Sequence, residues 1–119
     1  MQGELASINI PLEGRSYDIR VGVDCFSTEL FASVVGESCA ALIVTNTTVG
    51  KIHGERLQRV LNGVHSKVYI LQLPDGEEFK NWNTLNQIFD KLLHEACDRK
   101  TVLYALGGGV IGDMTGFAA

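Results

Sequence analysis

No apolar run in this chain approaches the roughly 20 residues that a membrane-spanning helix needs. Its opening, Met1-Gln2-Gly3-Glu4, has neither the basic start nor the apolar core of a secretory signal. Basic charge is not in excess either. Ten Lys and Arg stand against 14 Asp and Glu, for a formal net charge of −4 and a pI near 5.2. That balance argues against a general nucleic-acid or anionic-membrane surface, so neither partner is expected. Cysteine is sparse: Cys25, Cys39 and Cys97 are an odd number without C-x-x-C spacing. They read as reduced thiols, and a cytoplasmic location is expected. His94 and Cys97 stand three apart on a predicted helix, but two ligands do not close a metal site.

What is present is ordinary globular composition, 45% hydrophobic and 20% charged in 119 residues, enough for one domain with a real core. Leu5 to Ile10 and Tyr17 to Val21 alternate apolar and polar residues around a turn-rich Pro11–Arg15, the pattern of a β-hairpin. Cys25 to Val35 carries Phe26, Leu30, Phe31 and Val34 at helical spacing, broken by Gly36. Ala40 to Thr45 is a continuous apolar run, as in strands buried on both faces. Asn46-Thr47-Thr48 then suits a helix cap, and a helix is expected over about 49–61, closed by Asn62-Gly63.

Val68 to Leu73 is a second buried-type strand, and it enters the polar loop Pro74-Asp75-Gly76-Glu77-Glu78-Phe79-Lys80. Trp82, Leu85, Ile88, Phe89, Leu92, Leu93 and Ala96 form one apolar stripe, predicting a helix with that stripe in the core. Thr101 to Leu106 makes a third strand. The strand ends fall about 30 residues apart, the size of a βαβ unit. The fold class expected is therefore α/β: a Rossmann-like parallel sheet with flanking helices, preceded by the hairpin. All the loops at the carboxyl ends of the strands then open on one edge, where ligands of such sheets bind.

The third strand runs directly into Gly107-Gly108-Gly109-Val110-Ile111-Gly112-Asp113, where Gly107, Gly109 and Gly112 satisfy G-x-G-x-x-G. A glycine turn opening a helix presents unpaired N–H groups and the positive end of the helix dipole to a diphosphate. An ordinary tight βα turn gives the same pattern. It also follows the last strand rather than the first, and the sequence ends seven residues beyond Gly112, short of the position about 20 on where an acidic residue usually accompanies the motif. Asn46 can donate to and accept from ribose hydroxyls. Glu77 and Lys80, three residues apart, form a pair able to grip a ribose, although such pairs are more often solvated loop faces. Asp113 is expected in the first turn of the last helix, there to stabilise the dipole or to reach a second ribose.

Taken together, the Pro74–Lys80 loop and the Gly107–Ala119 segment resemble 3-dehydroquinate synthase, as do the hairpin and the Val44-Thr45-Asn46 strand end. The resemblance implies an NAD-dependent, phosphate-eliminating lyase of the shikimate pathway. It would convert the sugar phosphate 3-deoxy-D-arabino-heptulosonate 7-phosphate to 3-dehydroquinate. It implies a cofactor site made by Asn46, Asp75, Gly76, Glu77, Lys80, Gly108, Gly109, Val110, Gly112 and Asp113. Gly108, Gly109 and Val110 would meet the pyrophosphate, and Asp113 the nicotinamide ribose. A divalent metal, zinc or cobalt, would be held by one glutamate and two histidines that this chain does not contain. The family is also expected to form homodimers.

Family members run to roughly three times this length, as two domains. Residues 1–119 are thus expected to be an incomplete N-terminal NAD-binding domain, without the C-terminal metal and substrate domain. The apolar ending at Gly116–Ala119 reads as a truncation, and no catalytic or metal residue is assigned. Two other readings stay open: another sugar-phosphate cyclase, such as a cyclitol synthase, and a non-catalytic nucleotide-binding module.

Overall fold

A computed structural model of the chain describes residues 6–23, 26–33, 35 and 39–119. Leu5, Cys25, Val34 and Gly36, which figure in the expected elements, lie outside the described residues. Strands β1 (Ala6–Ile10) and β2 (Tyr17–Val21) pair antiparallel, with Ile8 opposite Ile19 and Ile10 opposite Tyr17. The turn between them needs Gly14, whose φ is +70°. This hairpin forms a two-stranded sheet of its own. Helix α1 is shorter than its pattern suggested, Thr28–Ala32, because Ser27 caps it by accepting from the Leu30 N–H at 3.1 Å.

The main sheet has three parallel strands in the order β4-β3-β5: β3 (Ala40–Asn46), β4 (Lys67–Leu73) and β5 (Val102–Leu106). The continuous apolar run of β3 earns its central place, with Ala41, Leu42, Ile43 and Val44 wholly buried. Its side chains alternate between two cores. Leu42 and Val44 pack with Leu73 against α4 (Trp82–His94) and α5 (Gly109–Ala118). Ile43 faces α3 (Glu55–Leu61) with Leu57 and Leu61. Each such side chain taken from water stabilises by roughly 1.5–3 kcal/mol. Strand β4 resembles β3 in sequence but lies at an edge of this sheet and is largely half-buried. An apolar run tells of helices above and below, not of neighbours on both sides.

The segment after β3 starts earlier than expected. Asn46 caps a short α2 (Thr47–Val49), a π-helical turn follows over Gly50–Gly54, and α3 completes the segment. The turn lies close against the sheet. A Cβ on Gly50 would fall 2.7 Å from Gln72 Nε2 and 2.8 Å from Thr45 Cγ2.

Helix α4 is capped by Asn81, which accepts from the Thr84 N–H at 3.0 Å. Its stripe is narrower than the expected one. Leu85 and Ile88 are buried, with Phe89 and Leu92 against them. Trp82 and Leu93, expected in the core, are 67% and 78% exposed. Trp82 is the first residue of the helix, at the end where the Lys80–Asn81 cleft opens, and Leu93 is turned about 100° from Leu92. Ala96 lies beyond the helix and ends it. With φ of +52°, it allows the Cys97 N–H to reach Leu92 O at 2.9 Å and its own N–H to reach Leu93 O at 3.1 Å. This is a Schellman closure with alanine where glycine is unstrained.

On the α3 side, His65 is buried between two elements. Its Nε2 lies 2.6 Å from the Tyr104 hydroxyl and its Nδ1 2.8 Å from the Cys39 carbonyl. A carbonyl only accepts, so Nδ1 carries the proton and Nε2 accepts from Tyr104. Burial, and secondly the charge of Cys39, pushes the Tyr104 hydroxyl from 10.0 up to about 12.

Two outcomes are expected. Ala96→Gly should raise the unfolding free energy by about 0.5–1 kcal/mol, left-handed strain outweighing the added chain entropy, and a urea midpoint measures it. The Tyr104 contribution, favouring the neutral phenol, is complete below pH 10.0 and lost as pH rises through about 12. Urea midpoints should therefore fall across that window, and Tyr104→Phe should flatten the fall while lowering the neutral-pH midpoint.

Candidate functional site

The carboxyl ends of β4, β3 and β5 bring three connections to one edge of the sheet. At its β5 end the chain leaves Leu106, turns through Gly107 and Gly108 and enters α5 at Gly109. Gly108 is the cap residue and offers no side chain to the helix end. The first backbone bond of this helix is from the Gly112 N–H to Gly108 O, 3.1 Å. The N–H groups of Gly109, Val110 and Ile111 thus precede any intrahelical acceptor.

The glycines divide by what surrounds them. A Cβ on Gly107 would meet the Ile111 side chain at 3.0 Å, so that glycine serves strand–helix packing. A Cβ on Gly108, Gly109 or Gly112 would meet nothing within 4 Å, and none of the three has a positive φ. Neither backbone nor packing demands glycine there. Gly116, near the other end of the same helix, is equally open, so what sets Gly108 and Gly109 apart is their place at the unpaired N–H groups that begin α5. Val110 is half-buried against the α4–α5 core, leaving its N–H as its contribution to that opening.

The turn is pinned from β3, in a way the sequence did not signal. Thr45, wholly buried in the apolar run, donates its hydroxyl to the Leu106 carbonyl at 2.6 Å. A lone threonine closing a buried strand was the one available sign.

Asn46 does not stand free as an all-purpose ribose ligand. Its Oδ1 accepts from the Val49 N–H at 2.7 Å, which spends its acceptor on the cap. Its Nδ2 faces Asp75 Oδ1 at 3.4 Å, and only 8% of the residue is exposed. Thr48, read from the sequence only as a capping residue, donates to Asp75 Oδ2 at 2.7 Å. Asp75 itself is exposed. Gly76 follows with φ of +138°, a conformation that favours glycine, and turns the chain into a 3-10 turn over Glu77–Phe79.

The Glu77–Lys80 pair exists at 4.0 Å, but Lys80 has a closer partner in Asp113 at 2.8 Å. The hydrogen bond to Asp113, then its charge and that of Glu77, hold the Lys80 ammonium above its ordinary range. Asp113 is not in the first turn of α5, as expected, but is its fifth residue; it reaches the loop instead of the helix end. The 74–80 loop is therefore tied at both ends, by Asp75 to β3 and α2 and by Lys80 to α5. Beside the second tie lies an open cleft of about 370 Å³ whose walls include Trp82, Leu85, Met114 and Phe117. Trp82 and Phe117 meet edge to face there, with centroids 5.8 Å apart.

Among the described residues no three His, Cys, Asp or Glu side chains gather where they could hold a metal. The residues present do not fit a metal centre, and no metal-dependent step is derived from them. No helix is long and apolar enough to cross a membrane among the described residues.

Residues 70–119 match the sequence model described as 3-dehydroquinate synthase N-terminal. The fold is similar to that of two crystal structures of 2-deoxy-scyllo-inosose synthase. One of these is complexed with carbaglucose-6-phosphate, NAD+ and Co2+. It superposes with a TM-score of 0.78 at 21% identity, over 96% of this chain and 31% of that one. The other gives the same score and identity and is covered over 32% of its length. The chain thus spans about a third of the length of the solved structures it matches.

The division among the glycines is measurable. Gly107→Ala should lower the unfolding free energy by roughly 1–3 kcal/mol through overpacking on Ile111. Gly108→Ala and Gly109→Ala should not lower it, and the reduced entropy of the unfolded chain should raise it by up to about 1 kcal/mol. Comparable losses at all three positions would contradict the assignment.

Proposed function

We propose that this chain is the NAD-binding N-terminal region of a 3-dehydroquinate synthase. The whole enzyme would convert 3-deoxy-D-arabino-heptulosonate 7-phosphate to 3-dehydroquinate and phosphate, as a cytoplasmic, homodimeric, metal-dependent lyase of the shikimate pathway. The observation that carries the reading is the open glycine cradle. Gly108, Gly109 and Gly112 leave space that the fold itself does not need, at the unpaired end of a ten-residue helix. Further support comes from the family match over residues 70–119, which contains both the 74–80 loop and the glycine turn. The similar synthase crystallised with NAD+ and Co2+ supports the same cofactor and a divalent metal for the whole enzyme.

When bound, NAD supplies a reversible hydride acceptor. The residues of this chain would hold it. The N–H groups of Gly109 and Val110, with Gly108 beside them, would receive the pyrophosphate in the field of the α5 dipole. Glu77 and Lys80 would take ribose hydroxyls from the loop side, and Asp113 those of the nicotinamide ribose from the helix side. Lys80 and Asp113 are already joined, so an entering ribose exchanges hydrogen bonds with an existing pair instead of meeting two bare charges. That exchange keeps the cost of desolvating the loop small. The metal and the groups that receive the substrate carboxylate and phosphate would come from residues outside this chain.

Calorimetric titration of NAD into the 119-residue chain tests the reading. Saturable binding is expected, weakened by about tenfold or more in Gly109→Val, since roughly 1.4 kcal/mol of lost diphosphate contact has that effect. The absence of NAD binding to the folded wild-type chain would overturn the proposal for this segment.

A further inference from the structure

We infer that the apolar face of the β1–β2 hairpin is a docking surface for a second copy of this chain. The inference names a surface for the homodimer proposed above, and it uses none of the residues at the carboxyl edge of the main sheet. In an antiparallel pair, residues opposite each other and residues two apart share a face. The register of the hairpin therefore puts Ala6, Ile8, Ile10, Tyr17, Ile19 and Val21 on one side, and Ser7, Asn9, Asp18 and Arg20 on the other. The polar side is settled within itself. Asn9 donates to Asp18 Oδ1 at 2.8 Å, and Arg20 lies 3.7 Å from Asp18 Oδ2. The apolar side is not, since Ile8, Tyr17, Ile19 and Val21 are 56%, 54%, 44% and 59% exposed.

A two-stranded hairpin is at best marginally stable in water unless its hydrophobic face is packed against something. This one belongs to no larger sheet. Its apolar face carries no charge, so it offers nothing to an ionic or nucleic-acid partner and calls for another apolar surface. The taper of the face fits a copy of itself. The turn end is thick, with Tyr17 opposite Ile10, and the open end is thin, with Val21 opposite Ala6. A second hairpin laid face to face, about a two-fold axis that crosses the strands, sets each thick end over a thin one. The two Ile8–Ile19 pairs then meet at the centre, in a contact of the self-complementary kind that two-fold dimers use. Sheets packed this way lie about 10 Å apart with their inner side chains interdigitated. The exposed apolar residues offer roughly 500 Å² on each copy. Burying about 1,000 Å² in total stands at the low end for a specific contact, so the dimer is a weak one.

The test is sedimentation equilibrium of the 119-residue chain from about 1 μM to 1 mM, with circular dichroism to verify folding. The wild type should self-associate with a Kd on the order of 10–100 μM. Ile8→Lys combined with Ile19→Glu removes the apolar centre but keeps a favourable opposite-charge pair across the strands, so the hairpin itself is retained. That double variant should weaken association by about tenfold or more. Trp82→Ser, which removes an exposed aromatic remote from the hairpin in sequence, should leave it unchanged to within about twofold. Amide exchange over residues 6–21 should slow with rising concentration in the wild type and not in the double variant. A wild-type chain that stays monomeric to about 1 mM overturns the inference and leaves the face to a segment outside residues 1–119. A dimer undiminished in the double variant, or one lost in Trp82→Ser instead, overturns it by placing the contact elsewhere. None of these outcomes bears on NAD binding, which is read by its own titration.

Discussion

The burial of β3 on both faces is the constraint on which the remaining structure depends. Residues 41–45 have no exposure, so helices must cover both sides of a strand with no polar side chain facing water. The alternation of Leu42 and Val44 with Ile43 assigns α4 and α5 to one side and α3 to the other. Parallel neighbours with helical crossovers are the arrangement that supplies such covering. They also send every strand's carboxyl end to the same edge. The candidate site is thus a by-product of how the core is buried.

At that edge the polar groups are used economically. Thr45 ties the end of β5, Asn46 caps α2 and Asp75 is held by two neighbours. Lys80 joins the loop to α5. These contacts surround the start of α5, where a Cβ on Gly108 or Gly109 would meet nothing within 4 Å. Donors held in place by such contacts avoid paying ordering entropy when a ligand binds.

Much of this was legible in advance. The apolar runs of β3 and β4, the cap at Asn46 and the glycine turn gave the elements and their order, and hence the edge on which the loops meet. Other features needed the third dimension. Trp82 fits the helical stripe in sequence yet is exposed at the first residue of α4, meeting the edge of Phe117 in the open cleft, because periodicity reports direction around a helix and not what lies opposite each turn. Asp113 looked like a first-turn acid, but the helix begins at Gly109 and the carboxylate meets a lysine 33 residues away. Thr48 read only as part of a helix cap, since the carboxylate it bonds lies 27 residues on.

The sequence by itself determined the α/β class, the glycine turn at a strand end and the residue types brought to the loops at that edge, because these depend on local periodicity and backbone permissiveness. Tertiary structure alone decided that β3 is central and which glycines face open space. It also decided that Asn46 bonds both Val49 and Asp75, and that Lys80 pairs with Asp113. Each of these is a contact between residues far apart along the chain, and such contacts are set by how whole elements pack, a quantity that no local stretch encodes.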